Sequence, residues 1–259
     1  MKVLITGANG YIGKSLSESL KHKHNITALT REECDLSNSY SVNSYFSNKW
    51  FDAVLHCAAT IGGRLIKNDW SAVDSNLMIY YNLLSNQNHF NKFINFGSGA
   101  ELYFKNTPYG YSKDVIRSSI LHKKNFYNLR IFACFDQNEL NSRFIKRSIL
   151  NYINKNPIEI YENKKMDFFF MQDLISVVEY YLTEADLLKE INCVYKEKYF
   201  LHQIADIINK LNNYKVPIIY QNIESQDYIG EYNFSIPSIG LEKGIEFVYD
   251  KLYNLKKHE

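Results

Sequence analysis

Along this chain, short apolar runs alternate with longer stretches whose apolar positions recur at helical spacing. The runs Lys2–Thr6, Asn25–Thr30, Asp52–Ala58, Lys92–Phe96, Asn128–Phe132 and Pro157–Tyr161 predict strands. Between them Ser39–Asn48, Ser71–Asn86, Tyr111–Lys124 and Ser142–Asn154 predict helices, and Ile12, Leu16 and Leu20 mark one more on a single face. Strand and helix taken in turn imply an α/β fold in which a parallel sheet is wound on both faces.

The first strand runs directly into Gly7-Ala8-Asn9-Gly10-Tyr11-Ile12-Gly13, three glycines at equal spacing before a helix. Residues without Cβ let the backbone approach a pyrophosphate and let the helix pack tightly on the sheet, while the helix N-terminus favours the negative charge. A glycine-rich turn alone also serves as a plain connector, so the weight comes from its setting between strand and helix. The fold expected is therefore Rossmann-like. Residues 1–135 are expected to form mainly the dinucleotide-binding domain. Residues 136–259 are expected to form mainly a small substrate-binding lobe, with some segments returning to the sheet.

Composition narrows the setting. A net charge of +2 gives no field that argues for nucleic acid or a membrane surface. No run of roughly 18 apolar residues occurs, and the N-terminus reads as a strand rather than a cleavable leader. Cys34, Cys57, Cys134 and Cys193 lie far apart, so neither a metal site nor a disulfide framework is indicated, and a reducing cytoplasm is the expected compartment.

Tyr109-Gly110-Tyr111-Ser112-Lys113 supplies candidate chemistry. A Tyr-x-x-x-Lys on a helix puts phenol and ammonium on one face, and a neighbouring cation favours the phenolate. Tyr109 then exchanges a proton and Lys113 can also hold a cofactor ribose. The pair follows a strand ending Asn95-Phe96-Gly97-Ser98, which adds a hydroxyl.

Together these segments resemble the extended short-chain dehydrogenase/reductases that act on nucleotide sugars. The resemblance covers nearly the whole chain. It rests on the Thr6 to Gly13 turn, Cys34-Asp35-Leu36-Ser37, His56-Cys57-Ala58-Ala59, Asn76, Ser98 and Tyr109/Lys113. Met166 to Leu174 is also similar to the family's Arg-Asp-Phe-x-x-Val-x-Asp segment, with Met166 in place of the arginine. The resemblance implies a catalytic triad of Ser98, Tyr109 and Lys113. It implies cofactor contacts from Gly7, Asn9, Gly10, Tyr11, Ile12, Gly13, Asp35, Leu36, Cys57, Ala58, Ala59 and Asn76, and substrate contacts from Ser98, with Arg143 or Lys165 on the nucleotide diphosphate. A nucleotide-sugar substrate and a homodimer are the partners it allows. Ser98 and Tyr109 are only eleven positions apart, closer than the family usually sets them, so a loop over the substrate is cut short.

Cofactor choice is written after the second strand. An acid there suits the ribose 2′-hydroxyl of NAD, and a cation suits the 2′-phosphate of NADP. The sequence Thr30-Arg31 offers a hydroxyl and a guanidinium fork, which favours NADP with NAD as the alternative. Family dehydratases carry Asp-Glu after the active-site hydroxyl and GDP-fucose synthase carries a nearby Cys; this chain has Gly99-Ala100, with Glu101 next. The expected reaction is accordingly NADPH-dependent reduction of a nucleotide-linked 4-keto sugar. The alternatives are an NAD-dependent sugar-nucleotide 4-epimerase and, in another class, a non-catalytic dinucleotide-binding protein of the same fold.

Overall fold

The computed structural model describes residues 1–60, 70–220 and 225–257. Two compact units emerge, Met1–Ile131 with Val177–Ile191, and Phe132–Ser176 with Asn192–Glu259. In chain order the first unit begins β1 (Lys2–Thr6), α1 (Tyr11–Leu20), β2 (Asn25–Leu29), α2 (Ser39–Phe46), β3 (Phe51–His56) and α3 (Ser71–Ser85). It continues through β4 (Phe90–Ser98), α4 (Ala100–Tyr103), α5 (Pro108–Leu121) and β5 (Phe126–Ile131). Then come β6 (Cys134–Phe135), α6 (Phe144–Ile153), β7 (Ile158–Ile160), β8 (Phe169–Phe170), α7 (Met171–Thr183), β9 (Glu190–Cys193), α8 (Leu201–Ile208), β10 (Ile218–Tyr220) and α9 (Leu241–Lys257).

Six strands form the main sheet in the order β2-β1-β3-β4-β5-β9, with β1 parallel to β2 and β3, and β4 parallel to β3 and β5. From β1 the chain steps outward to β2 and then returns to the other side of β1 as β3. That reversal is the switch point at which open α/β sheets bind ligands beyond their strand ends, and Thr6 and His56 face each other across it. β5 is buried throughout and β3 nearly so, as strands covered on both faces require, whereas the edge strand β2 is half-exposed. Under the sheet Leu4, Val54, Phe93, Phe126, Tyr80 and Ile116 share one core, with Phe93 and Phe126 stacked at 4.9 Å between centroids. Lys92 on β4 donates to the Tyr181, Leu182 and Glu184 carbonyls, so a cation closes the C-terminal end of α7.

The second unit has its own core, in which Ile145, Ile149 and Tyr152 of α6 meet Ile204 and Ile208 of α8 and Ile245 and Val248 of α9. Gly244 permits the approach of α9, since a Cβ there would lie 2.9 Å from Phe170 Cγ.

Two boundaries differ from the sequence reading in ways that matter. β4 runs on to Ser98, placing that hydroxyl at the strand's last residue, and α5 starts at Pro108 rather than Tyr111, placing Tyr109 in its first turn. The reason is local. Thr107 caps the helix by accepting the Gly110 N–H at 3.2 Å, and proline suits a first helical position because its missing N–H is not needed there. Gly110 lets α5 sit against α4, because a Cβ on it would come 2.0 Å from the Phe104 carbonyl oxygen. Replacing Gly110 by alanine should therefore cost roughly 2–3 kcal/mol of stability through backbone displacement; a urea midpoint equal to that of the wild type would contradict this packing.

Candidate active site

The glycine turn is built by exclusion. Gly7 has φ +65°, and a Cβ there would stand 2.7 Å from the Ala58 amide nitrogen. Gly13, in the first turn of α1, passes so near Gly7 that its Cβ would meet the Gly7 carbonyl oxygen at 2.4 Å. Gly10, with 3.2 Å to the same oxygen, is the residue before α1 and offers no side-chain cap, and α1 has no acid in its first turn. A helix start shaped in this way leaves the positive end of the dipole and a side-chain-free cradle for an anion, which fits a dinucleotide's pyrophosphate. Asn9 is exposed at the tip of the turn, and Tyr11 and Ile12 follow as the first helical residues.

Behind the turn, one hydroxyl joins two strand ends. Thr6 Oγ1 accepts the Ala58 N–H at 3.2 Å and lies 3.1 Å from His56 Nδ1, where a neutral imidazole can accept its proton. Burial pushes His56 down to about 3, with the Lys113 ammonium adding to the effect. Burial likewise pushes the Cys57 thiol up, and Ala59 follows half-exposed. Asn76 on α3 uses its amide as a clamp, donating to the Thr60 carbonyl at 3.2 Å and to Ser112 Oγ at 3.0 Å while accepting the Thr60 N–H at 2.7 Å. The segment after β3 is thereby fastened to the helix that carries Tyr109.

The three residues expected to do chemistry lie on two adjoining elements of this unit. Ser98 Oγ accepts the Ala100 N–H at 3.2 Å. That contact occupies a lone pair and leaves the hydroxyl proton available to a ligand. Lys113 is 5% exposed, donates to the Phe96 carbonyl at 2.7 Å, and has its ammonium 5.8 Å from the centre of the Tyr109 ring. Tyr109 itself is half-buried.

Glu101, next after Gly99-Ala100, is fully buried on α4. Its Oε1 accepts from Arg130 Nε at 2.5 Å and from Asn128 Nδ2 at 2.9 Å, and Arg130 also donates to Glu190 at 2.9 Å. Glu190 in turn receives a two-pronged contact from Arg117 on α5 at 2.6 and 2.8 Å, which holds its carboxyl below the usual range. Burial pushes Glu101 up against the opposing pull of Arg130, Asn128 and Lys113.

At the end of β2, Arg31 is exposed and its guanidinium lies 3.6 Å from Asp35, while Thr30 is in contact with Glu33. Asp35 is held below the usual carboxylate range by hydrogen bonds from the Ser37 hydroxyl and N–H, with Arg31 adding to them. Leu36 is buried beside it, its carbonyl accepting from Asn82 at 2.9 Å.

With that geometry in place, comparison with known proteins is informative. The model of the NAD-dependent epimerase/dehydratase family matches residues 3–193. The chain belongs to this family. Among relatives, the GDP-L-colitose synthase of Yersinia pseudotuberculosis is 28% identical, with 97% of this chain and 85% of that protein aligned. Two solved structures show the same fold. A GDP-mannoheptose C4 reductase from Campylobacter jejuni with NADP bound has a TM-score of 0.78 at 19% identity, covering 96% of this chain and 97% of that one. UDP-glucose 4-epimerase from Thermotoga maritima has a TM-score of 0.79 at 15% identity, covering 100% of each.

The Met166 to Leu174 segment, read from the sequence as similar to one of the family's, lies in the second unit. Asp167, which follows Met166 where the family carries arginine, is buried and pairs with Lys198 at 2.7 Å while accepting the Gly230 N–H at 2.7 Å. Lys198 carried no sequence signal, since the contact joins residues far apart in the chain. Lys165 lies over the Phe200 ring at 5.1 Å, and Arg143 is exposed at the residue before α6. Among the described residues no cluster of side chains could hold a metal ion, and no helix is long and apolar enough to cross a membrane.

His56 gives a pH test of the inner wall. Its folded value of about 3 lies below its unfolded value of about 6.5, so only the unfolded chain takes up this proton in between, and stability falls as pH drops through that window. Between about pH 7.5 and about pH 5 this residue should account for a loss of about 2 kcal/mol. Urea unfolding at the two pH values should show a loss smaller by that amount in His56→Gln; an identical pH dependence would refute the buried neutral state.

Proposed function

We propose that this enzyme reduces the ketone of a nucleotide-linked 4-keto sugar to the 4-hydroxy sugar, with NADPH as cofactor. The observation that supports this reading is the state of Glu101. Ser98, Tyr109 and Lys113 provide for one proton transfer, and the nearest following acid is sealed away on Arg130 and Asn128. Ketone reduction needs one hydride and one proton, whereas epimerisation beside a ketone or elimination of water needs a further acid/base group. NADPH supplies the hydride when bound.

The Gly7 to Gly13 turn and the start of α1 would hold the pyrophosphate, Asp35 and Leu36 the adenine edge, Thr30 and Arg31 the 2′-phosphate, and Lys113 the nicotinamide ribose. Cys57, Ala58 and Ala59 would line the dinucleotide as backbone and small side chains, and Asn76 serves that wall by fixing Thr60. Ser98 donates its free proton in a hydrogen bond to the substrate oxygen. Tyr109 delivers its phenolic proton to that oxygen, and the ammonium of Lys113 steadies the phenolate left behind. Arg143 and Lys165 would bind the nucleotide diphosphate. The names of the colitose synthase and of the heptose reductase both specify GDP-linked sugars, which makes a GDP-linked 4-keto sugar the first substrate to assay.

One observation favours a second reading. Thr30 and Arg31 already face carboxylates, a setting that also suits a cofactor without a 2′-phosphate, as in an NAD-dependent 4-epimerase using the same triad. Isotopes separate the two. Tyr109→Phe should lower turnover by about 10² to 10⁴ with NADPH binding kept. In the wild type, deuteride from labelled NADPH should appear at the substrate's former ketone carbon, and no deuterium from solvent should enter the neighbouring carbons. Solvent label there would reveal a second base, and tightly retained NAD in the purified protein would shift the assignment to the epimerase.

A further inference from the structure

The corner just beyond β2 carries its own negative charges. Thr30-Arg31-Glu32-Glu33 has the spacing of a capping box, and the Glu33 carboxylate does turn back: Oε2 accepts the Thr30 N–H at 2.9 Å and the Thr30 hydroxyl at 3.1 Å. The Cys34 N–H returns to the Thr30 carbonyl at 3.2 Å and closes the turn. One residue past Thr30, the Arg31 guanidinium lies 3.6 Å from Asp35. Every donor group assigned above to a ribose 2′-phosphate is thus already turned toward an acid of the same loop.

The two carboxylates do not weigh equally. Arg31 is 83% exposed along its side chain and Asp35 is 42% exposed, so their attraction is screened by water and yields easily to a doubly charged phosphate. Glu33 is exposed as well, yet it receives two charge-assisted hydrogen bonds from the same two groups a phosphate oxygen would use, where Asp35 faces Arg31 only at 3.6 Å. A ribose 2′-hydroxyl poses no such conflict, since it can donate to a carboxylate. A 2′-phosphate must displace Glu33 or accept its repulsion.

We propose that Glu33 is the residue that sets this chain's selectivity between NADPH and NADH, acting as an internal anion that competes with the 2′-phosphate for Thr30. The proposal rests on reading Thr30 and Arg31 as the 2′-phosphate corner. Glu33 holds NADPH preference down, and its removal releases the preference that Arg31 supports.

Equilibrium titration of the whole chain with NADPH and with NADH, in the wild type and in Glu33→Gln, Glu33→Ala and Arg31→Ala, tests this without any sugar substrate. Glu33→Gln removes the charge while keeping an acceptor for the Thr30 N–H, and Glu33→Ala removes both, so the pair separates charge from capping; thermal melts confirm that each variant is folded. Both Glu33 variants should bind NADPH about threefold to tenfold more tightly, the range expected for one charge-assisted contact set free, with NADH unchanged or weaker. If neither variant raises the NADPH to NADH preference while Arg31→Ala weakens NADPH alone, Glu33 is a cap only and the proposal is overturned with the corner intact. If Arg31→Ala affects both cofactors alike, the corner itself is misassigned and the proposal goes with it.

Discussion

Two stretches of backbone, at Gly7 and at Ala58, lie closer together than any side chain allows, and the site is arranged around that approach. The amide of Ala58 can reach Thr6 Oγ1 because nothing projects from Gly7, and Gly13 can cross the same spot only without a Cβ of its own. The contact sits where the strand order reverses, so the helix start, the end of β3 and the buried His56 meet there. A larger residue at Gly7 would meet both a left-handed backbone and a filled space, and no relaxation of one side chain relieves both.

The ionic chain that runs from buried Glu101 and Arg130 to half-buried Glu190 and Arg117 is the second constraint. It links α4, which follows Ser98, to α5, which carries Tyr109 and Lys113, by way of two strands. Charges removed from water in this way contribute little net stability, because desolvation offsets most of the attraction, yet losing one partner leaves a buried charge without its counterion. Their value here lies in fixing geometry where the segment between Ser98 and Tyr109 is short. With the two residues eleven positions apart, α4 has one turn to descend and α5 must start at once.

The sequence made the glycine turn, the alternation of the first unit and the Tyr/Lys pair legible, because each depends on neighbours within a few residues. The start of α5 was readable in principle from Thr107-Pro108, a cap followed by a residue suited to the first helical position, although the apolar periodicity begins only later. In the second unit β6 and β8 are two residues each, too short for any period, whereas α8 and α9 do carry helical spacing, at Leu201, Ile204 and Ile208 and at Leu241, Ile245, Val248 and Leu252, and were readable in principle. The roles of His56, Glu101 and Lys198 were hidden for a different reason. Their roles come from contacts, most of them with residues distant in the chain, and a lone acid or histidine in a sequence looks like any solvated charge.

β9 completes the sheet late. Its first residue, Glu190, is the counterion of Arg130 and Arg117, both made some sixty residues or more earlier. While the chain is being synthesised, every strand from β1 to β5 exists before that acid does, and Arg130 must wait beside Glu101 without Glu190. A fragment ending after β5 would hold the glycine turn and Ser98, Tyr109 and Lys113 but would leave the β5 edge open and deprive Arg130 and Arg117 of Glu190. The first unit is therefore not separable by a single cut, and its folding is complete only when the ribosome has passed through the first stretch of the second unit.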